Sequence, residues 1–249
     1  MDRLRPLALR HLHRQVTDPT LREALTPHFT LGCKRLLLSN TYYPALTQPN
    51  VSVVAGGLRE VSANAVRGSD GRWHEVDTLI LGTGFRVTNP PIAERIVADG
   101  VRLSDQWAGS PRAYLGTNVR GFPNLFFMIG PNLGNGHSSA FVLIEAQARY
   151  IASALRWMRA SETDAIAVSP EVETRYNADV QEALQPTVWN AGGCNSYYLD
   201  VNGTNSSIYP WSTVNLRRRM RRFEPDDYIA VSSGRVTTDV ETRERERRA

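Results

Sequence analysis

The sequence predicts an α/β protein, and three segments indicate this fold class. The first is Thr78–Phe85, an apolar run that ends in Gly-Thr-Gly; four to eight apolar residues ending in glycine are typical of a buried parallel strand. The second is Leu125–Ile129, an apolar run that continues into a glycine-rich loop. The third is a helix expected to begin near Ser138, because apolar residues up to Met158 recur at spacings of three, four and seven. Strand, glycine-rich loop and helix then follow in the order used by nucleotide-binding folds.

Other segments complete the predicted elements. A helix is expected from Leu4 to Val16, and another from Pro170 to Leu184, with proline in its first turn and Pro186 just past its end. Asp70-Gly71 ahead of a strand predicts a hairpin. Short strands are expected at 34–38, 51–55, 58–61, 63–67 and 73–81.

Composition narrows the functional classes. The 249 residues are 41% hydrophobic, enough for a real core, and the net charge is +4. The arginines cluster near both termini without interleaved aromatic residues, so a solvated surface is expected rather than a nucleic-acid site. No stretch approaches the roughly 18 to 20 apolar residues of a membrane span. We therefore expect a cytoplasmic protein that binds neither nucleic acid nor membrane.

The two cysteines and the single lysine are each distinctive. Cys33 and Cys194 are too few for a disulfide framework and lack the spacing of metal ligands. Free thiols in a reducing compartment and no metal site are therefore expected. Lys34 is the only lysine of the chain.

The loop that follows Ile129 is suited to an anionic or electron-rich ligand group. It contains Gly130, Pro131, Asn132, Gly136, His137 and Ser138. Its glycines allow close backbone approach, and the first turn of the next helix offers unpaired amides at the positive end of its dipole. The string from Gly134 to Ser139 is not a dinucleotide fingerprint, since its last glycine is replaced and no acidic residue follows at the required distance. An ordinary strand-to-helix loop is the alternative.

Six blocks of sequence resemble, in order, those of flavin-dependent Baeyer-Villiger monooxygenases, the family of cyclohexanone and phenylacetone monooxygenases. The family patterns are GCKR…YYPAL…PNV, ATGF, W..GP..YLG, GFPNLF, GPN and C.SWY…NG…WP. In this chain they correspond to segments 32–51, 81–85, 107–117, 121–126, 130–132 and 194–211. The blocks extend across about 180 residues, as counted from these positions.

The resemblance implies a role for several residues. Arg35 matches the catalytic arginine, which lies beside the flavin and stabilises negative charge during oxygen transfer; a guanidinium keeps its charge at any working pH. Lys34 matches the lysine that contacts the phosphate-ribose end of NADPH. Tyr197 replaces a tryptophan that touches the nicotinamide cofactor, which keeps an aromatic face but alters its reach. The matching blocks add Thr83, Gly84, Gly130, Pro131 and Asn132 as expected cofactor-binding residues. The loop and helix start that follow the fifth block add Gly136, His137 and Ser138.

The family's Gly-x-Gly-x-x-Gly motifs for FAD and NADP do not occur in this sequence. The chain is thus similar to the C-terminal half of a flavoprotein with two dinucleotide-binding domains: the end of the NADP domain with a β-rich return segment at 1–81, the C-terminal part of the FAD domain at 82–232, and a charged tail at 233–249. The expected activity is FAD- and NADPH-dependent insertion of one atom of O2 into a ketone. The chain is expected to be either incomplete, with the missing motifs encoded upstream of a misplaced start, or one part of a split enzyme whose second polypeptide supplies them. The alternatives are an inactive remnant, a binding protein and an N- or S-oxygenating flavoprotein.

Overall fold

The computed structural model of the protein describes residues 4–84, 87–134, 139–194 and 196–231. These residues form two compact units. The first contains the described residues up to 84 together with those of the short segment 191–196, and the second contains the described residues of 87–190 and 197–231. The first unit is therefore assembled from two segments that are far apart in sequence.

The first unit contains short helices and one small sheet. In chain order its elements are α1 (Arg5–Gln15), α2 (Pro19–Leu25), α3 (Tyr42–Leu46), β1 (Glu60–Val61), β2 (Ala65–Arg67) and β3 (Trp73–Glu75). The predicted first helix and the predicted Asp-Gly hairpin are confirmed, since β2 and β3 pair antiparallel with Val66 opposite His74. Gly71 has a φ of +78°, a left-handed conformation that suits glycine at this turn.

The second unit is built around two long helices. Its elements are β4 (Val97–Ala98), β5 (Val101–Arg102), α4 (Leu103–Trp107), α5 (Ala140–Ala160), β6 (Ile166–Val168), α6 (Pro170–Leu184), α7 (Val188–Ala191), α8 (Thr213–Arg219) and β7 (Tyr228–Ala230). The last residue of α7, Ala191, is counted with the first unit. The predicted helices α5 and α6 are confirmed. Each satisfies its backbone hydrogen bonds internally and buries one apolar stripe, which explains why periodicity found them.

The larger core of the second unit lies between α5, α6 and the pair β6–β7. Tyr150 of α5 and Leu184 of α6 are buried in one apolar cluster, together with Tyr228 of β7. The strands β6 and β7 run antiparallel, with Val168 opposite Tyr228. A smaller cluster gathers Leu103, Trp107 and other residues around α4. No helix in the described part of the chain is long and apolar enough to cross a membrane.

Several predicted strands of the first unit are absent. Segments 34–38, 51–55 and 77–84 have no strand pairing among the described residues, and β1 and β3 are shorter than predicted. Ile80, which lies in the run predicted as a buried strand, is 88% exposed, and Leu37 is 86% exposed. A strand interior to a sheet needs neighbours on both edges, and no described residue supplies them here.

The predicted strand at Leu125–Ile129 is also absent, for a different reason. Its backbone groups bond to a turn and to a side chain instead of to a neighbouring strand. The amide of Phe127 donates to the carbonyl of Thr117 at 2.8 Å, and the amide of Ile129 donates to Oε1 of Gln147 at 2.8 Å. Ile129 itself has a φ of +53°, which ends any extended run.

Candidate functional site

The loop that follows Ile129 is in tight contact with the turn at Gly116. The amide of Gly130 donates to the carbonyl of Gly116 at 3.2 Å. A Cβ at position 130 would lie 2.4 Å from that carbonyl oxygen, and one at position 116 would lie 2.3 Å from the side chain of Leu133. Close approach of other protein atoms, backbone at Gly130 and a side chain at Gly116, therefore accounts for both glycines without a ligand.

Asn132 holds the same loop against the segment 205–208. Its side chain is buried, and its Nδ2 donates to the carbonyls of Asn205 at 2.7 Å and Ile208 at 3.2 Å. Its own amide donates to the carbonyl of Ser206 at 2.9 Å. Both side-chain amide hydrogens thus bind backbone of the same unit. Asn132 consequently positions the loop, and its Nδ2 has no hydrogen left for a ligand.

Gly134 extends this contact into a parallel bridge with Ile208. Its amide donates to the carbonyl of Ser207 at 2.6 Å, and its carbonyl accepts from the amide of Tyr209 at 3.0 Å. A Cβ at Gly134 would lie 2.4 Å from the Ser207 oxygen. We call the loop 130–134 with its partners 116–117 and 205–208 the loop clamp.

Gln147 of α5 completes the loop clamp from the helix side. Its side chain is fully buried, and Nε2 lies 3.1 Å from the carbonyl of Gly116, 3.0 Å from Oγ1 of Thr117 and 3.0 Å from the carbonyl of Phe127. Its Oε1 accepts from Ile129. One helical side chain therefore fixes both segments that lead into the loop.

The loop then reaches the start of α5. Ser139 precedes the helix, and its Oγ accepts from the amide of Phe141 at 3.3 Å, a serine N-cap. The predicted contacts Gly136, His137 and Ser138 lie outside the described residues.

Tyr197 and Tyr198 form an aromatic pair on the second unit. Their ring centroids are 4.3 Å apart, and their hydroxyl oxygens are 3.0 Å apart. Tyr198 is buried, whereas Tyr197 is 47% exposed. Tyr197 therefore packs against a buried neighbour while part of its own ring stays accessible, as a residue that stacks on a cofactor ring would require.

The turn at Asn202-Gly203 is fixed by Asp200. One carboxylate oxygen of Asp200 accepts from the amides of Asn202 and Thr204, both at 3.0 Å, and the other accepts from the hydroxyl of Ser206. The side chain of Asn202 donates to the carbonyl of Ala108 and to Oγ of Ser110, both at 2.9 Å. The third and last sequence blocks are thereby joined.

The core of the second unit contains the buried Tyr150 and Tyr228, and the half-buried Tyr114 packs against it. The hydroxyl of Tyr114 donates to Asp227 at 2.5 Å, and that of Tyr228 donates to Oδ1 of Asn118 at 2.8 Å while lying 2.9 Å from the hydroxyl of Tyr150. Burial raises the pKa of Tyr114, Tyr150 and Tyr228 well above the usual range. These hydroxyls therefore stay protonated at working pH and serve as structural hydrogen-bond groups.

Lys34 and Arg35, the predicted cofactor and catalytic residues, are exposed on the first unit. The Nζ of Lys34 lies 5.0 Å from the ring centroid of Phe29, a cation–π contact. Thr83 and Gly84 are likewise exposed, and a Cβ on Gly84 would meet no atom within 4 Å. Space within the described residues therefore does not require glycine at position 84, although the φ of +82° at this position favours glycine.

The expectation of free thiols is wrong. Cys33 and Cys194 form a disulfide within the first unit, with their Cα atoms 6.2 Å apart. Sequence spacing could not reveal the pair because 161 residues separate them. Their presence in the first and last sequence blocks was the one available signal. Gln147 was also missed, although a polar residue on the buried stripe of an amphipathic helix marks such a group.

The fold is that of an α/β protein that matches part of larger solved enzymes. Cyclohexanone monooxygenase from Rhodococcus sp. Phi1, solved bound to NADP+, matches with a TM-score of 0.76 and 30% identity over 87% of this chain and 42% of that one. The solved OTEMO complex with FAD and NADP matches with a TM-score of 0.78 and 25% identity over 88% of this chain and 41% of that one.

Sequence relatives agree. A Baeyer-Villiger monooxygenase of Pseudomonas aeruginosa is 42% identical over 98% of this chain and 47% of its own length. One of Streptomyces coelicolor is 45% identical over 89% of this chain and 43% of its own length. No protein-family profile matches. The predicted resemblance is confirmed: the chain is homologous to Baeyer-Villiger monooxygenases and spans about half the length of the relatives it matches.

Proposed function

We propose that this chain forms part of an FAD- and NADPH-dependent Baeyer-Villiger monooxygenase. The overall reaction converts a ketone, O2, NADPH and a proton into an ester, NADP+ and water. One observation carries the proposal: nearly the whole chain is 42% identical to a Baeyer-Villiger monooxygenase. In the proposed assignment, residues 1–81 end the NADP domain and 82–232 close the FAD domain.

The residues present fit part of a cofactor site. Lys34 and Arg35 form an exposed pair of cations that suits a phosphate and a developing anion. Tyr197 offers a half-exposed aromatic ring for a nicotinamide, and the loop clamp holds the backbone ahead of α5. FAD and NADPH would supply the oxygen activation and the reducing equivalents. The chain's own share is to bind, orient and stabilise charge, with Arg35 as the catalytic cation.

The exposed apolar segments support a polypeptide partner. Leu37, Leu38 and Ile80 are 86%, 99% and 88% exposed, and successive residues of an extended chain point to opposite faces. A strand that is apolar on both faces is stable only inside a sheet that is covered on both sides. We infer that a second polypeptide, or a further part of the same one, supplies that cover along with the glycine motifs.

Arg35 also separates the proposed reaction from N- or S-oxygenation. Ketone oxygenation passes through an anion that a fixed cation stabilises, whereas oxygenation of a soft nitrogen or sulfur nucleophile needs no such charge. A ketone substrate is therefore favoured.

The test is reconstitution with the complementary part of the Pseudomonas aeruginosa relative. The chain alone and the mixture are assayed for bound flavin, NADPH-dependent O2 uptake and ester formation from cyclohexanone and from a panel of larger ketones. We expect activity only in the mixture. A colourless, inactive mixture, with both polypeptides folded and bound to one another, would sink the enzyme proposal and favour a remnant.

Arg35→Ala tests the catalytic assignment within the active mixture. We expect NADPH to reduce the flavin at near the original rate while ester formation falls at least 100-fold, the size of effect seen when one electrostatic donor is removed. Arg59→Ala, at another exposed arginine of the first unit, is the matched control and should retain activity. Ester formation that survives Arg35→Ala would refute the role given to Arg35.

A further inference from the structure

The disulfide joins two turns that bear glycines in left-handed conformations. Gly32 precedes Cys33 with a φ of +94°, and Gly193 precedes Cys194 with a φ of +71°. Beside the bond, the amide of Thr30 donates to the carbonyl of Gly192 at 3.0 Å, and the amide of Cys33 donates to the carbonyl of Thr30 at 3.0 Å. The crosslink thus fastens the turn 30–33 to the segment 191–194.

The two sulfur-bearing residues differ in accessibility. Cys33 is 1% exposed, whereas Cys194 is half-buried and follows a glycine whose added Cβ would meet no atom within 4 Å. An attacking thiolate needs a clear approach to one sulfur. It therefore reaches the Cys194 side of the bond, and Cys33 is the leaving thiol. Lys34 and Arg35 follow Cys33 directly, and neighbouring cations favour the thiolate that leaves.

We propose that Cys33–Cys194 is a thiol–disulfide exchange site whose reaction partner is a dithiol reductant. The first thiolate of the reductant attacks the Cys194 sulfur, forming a mixed disulfide and releasing Cys33 as a thiolate, which takes up a proton. The second thiol of the reductant, as its thiolate, then attacks the mixed disulfide and releases Cys194. Two electrons and two protons pass to the protein, and the dithiol becomes a disulfide.

The site controls the position of Lys34 and Arg35. These residues begin immediately after the crosslinked turn, and no helix or strand contains residues 26–41. Opening the bond removes the covalent link between the turn 30–33 and segment 191–194. Reduction therefore loosens the segment that carries both cations, and reoxidation orders it again. The chemistry of this site does not depend on the proposed monooxygenase function, and its test uses no flavin.

The experiment follows the purified 249-residue chain with and without dithiothreitol. Alkylation with iodoacetamide in native buffer, followed by peptide mass spectrometry, should find Cys33 and Cys194 linked before reduction and both alkylated after it. Hydrogen exchange should then rise several-fold in peptides that cover 30–36 and 191–194, and should return on reoxidation with oxidised glutathione. Peptides from α6 serve as the internal control and should not change.

The variant Cys33→Ser with Cys194→Ser should show the exchange pattern of the reduced chain and no response to dithiothreitol. Three results would overturn the proposal. The first is an unlinked pair in protein purified without reductant. The second is a bond that dithiothreitol opens only after denaturation. The third is a reduced chain whose exchange at 30–36 is unchanged, or rises equally in α6. The last comparison needs only the wild-type chain, so it decides the matter even if the variant does not fold.

Discussion

Several leucines of the two units differ sharply in their exposure to solvent. In the second unit Leu133, Leu143 and Leu184 are buried, whereas in the first unit Leu37 and Leu38 are almost fully exposed. Apolar burial is the main favourable term in folding, about 25 cal/mol per Å². The second unit therefore buries the apolar residues that stabilise it, while much of the apolar surface of the first unit is exposed in the described part of the chain and contributes little.

The largest expected effect is alkaline unfolding of the second unit. Burial raises the pKa of five tyrosines there: Tyr114, Tyr150, Tyr176, Tyr209 and Tyr228. For Tyr209 the pKa rises to about 12. Above the unfolded pKa of about 10, the unfolded chain loses protons that the folded chain keeps, so stability falls as pH rises. At about 1.4 kcal/mol per pH unit for each of the five tyrosines, the combined loss of stability by pH 11 is about 7 kcal/mol.

Urea denaturation between pH 8 and pH 11, followed by fluorescence, measures this loss. Trp73→Phe removes the tryptophan of the first unit, so the signal then comes from the second unit. Tyr176→Phe is the matched variant, because the buried Tyr176 hydroxyl has no hydrogen-bond partner among the described residues. It should leave stability at pH 8 unchanged or higher and reduce the slope above pH 10. A stability that does not change up to pH 11 would contradict the prediction.

The next effect compares one leucine from each unit. Leu133→Ala removes a fully buried side chain from the loop clamp and should cost about 2–5 kcal/mol. Leu37→Ala removes an exposed one and should change the free energy of unfolding by less than about 0.5 kcal/mol. Hydrogen exchange resolves the two units separately. If Leu37→Ala cost as much as Leu133→Ala, the difference between the units would disappear.

The smallest effect concerns glycines. Gly134→Ala places a Cβ 2.4 Å from the Ser207 carbonyl oxygen, so the loop clamp must open, at about 1–3 kcal/mol. Gly57→Ala, in the first unit, meets no atom within 4 Å and should be nearly neutral. Thermal unfolding of both variants measures the contrast. Equal melting temperatures would show that the loop 130–134 is not tightly held.

The sequence blocks located the candidate site residues, but packing revealed what several of them do. Asn132 is predicted to lie at the cofactor site, and the structure shows that its side-chain amide donates to two backbone carbonyls of the loop clamp. From the sequence, the glycine at position 130 is attributed to close approach of a ligand. Its contact with the Gly116 carbonyl explains the need for glycine equally well. Such contacts join residues that are far apart in sequence, so spacing alone does not predict them.

By itself the sequence determined the helices α1, α5 and α6, the Asp-Gly hairpin, and the homology to Baeyer-Villiger monooxygenases. Helices and two-residue turns satisfy their backbone groups locally, so periodicity and turn residues suffice to find them. Only the tertiary structure decided that the runs at 34–38, 79–81 and 125–129 pair with no strand among the described residues, and that Cys33 bonds to Cys194. A strand and a disulfide each need a partner from elsewhere in the chain, and folding alone shows whether that partner is there.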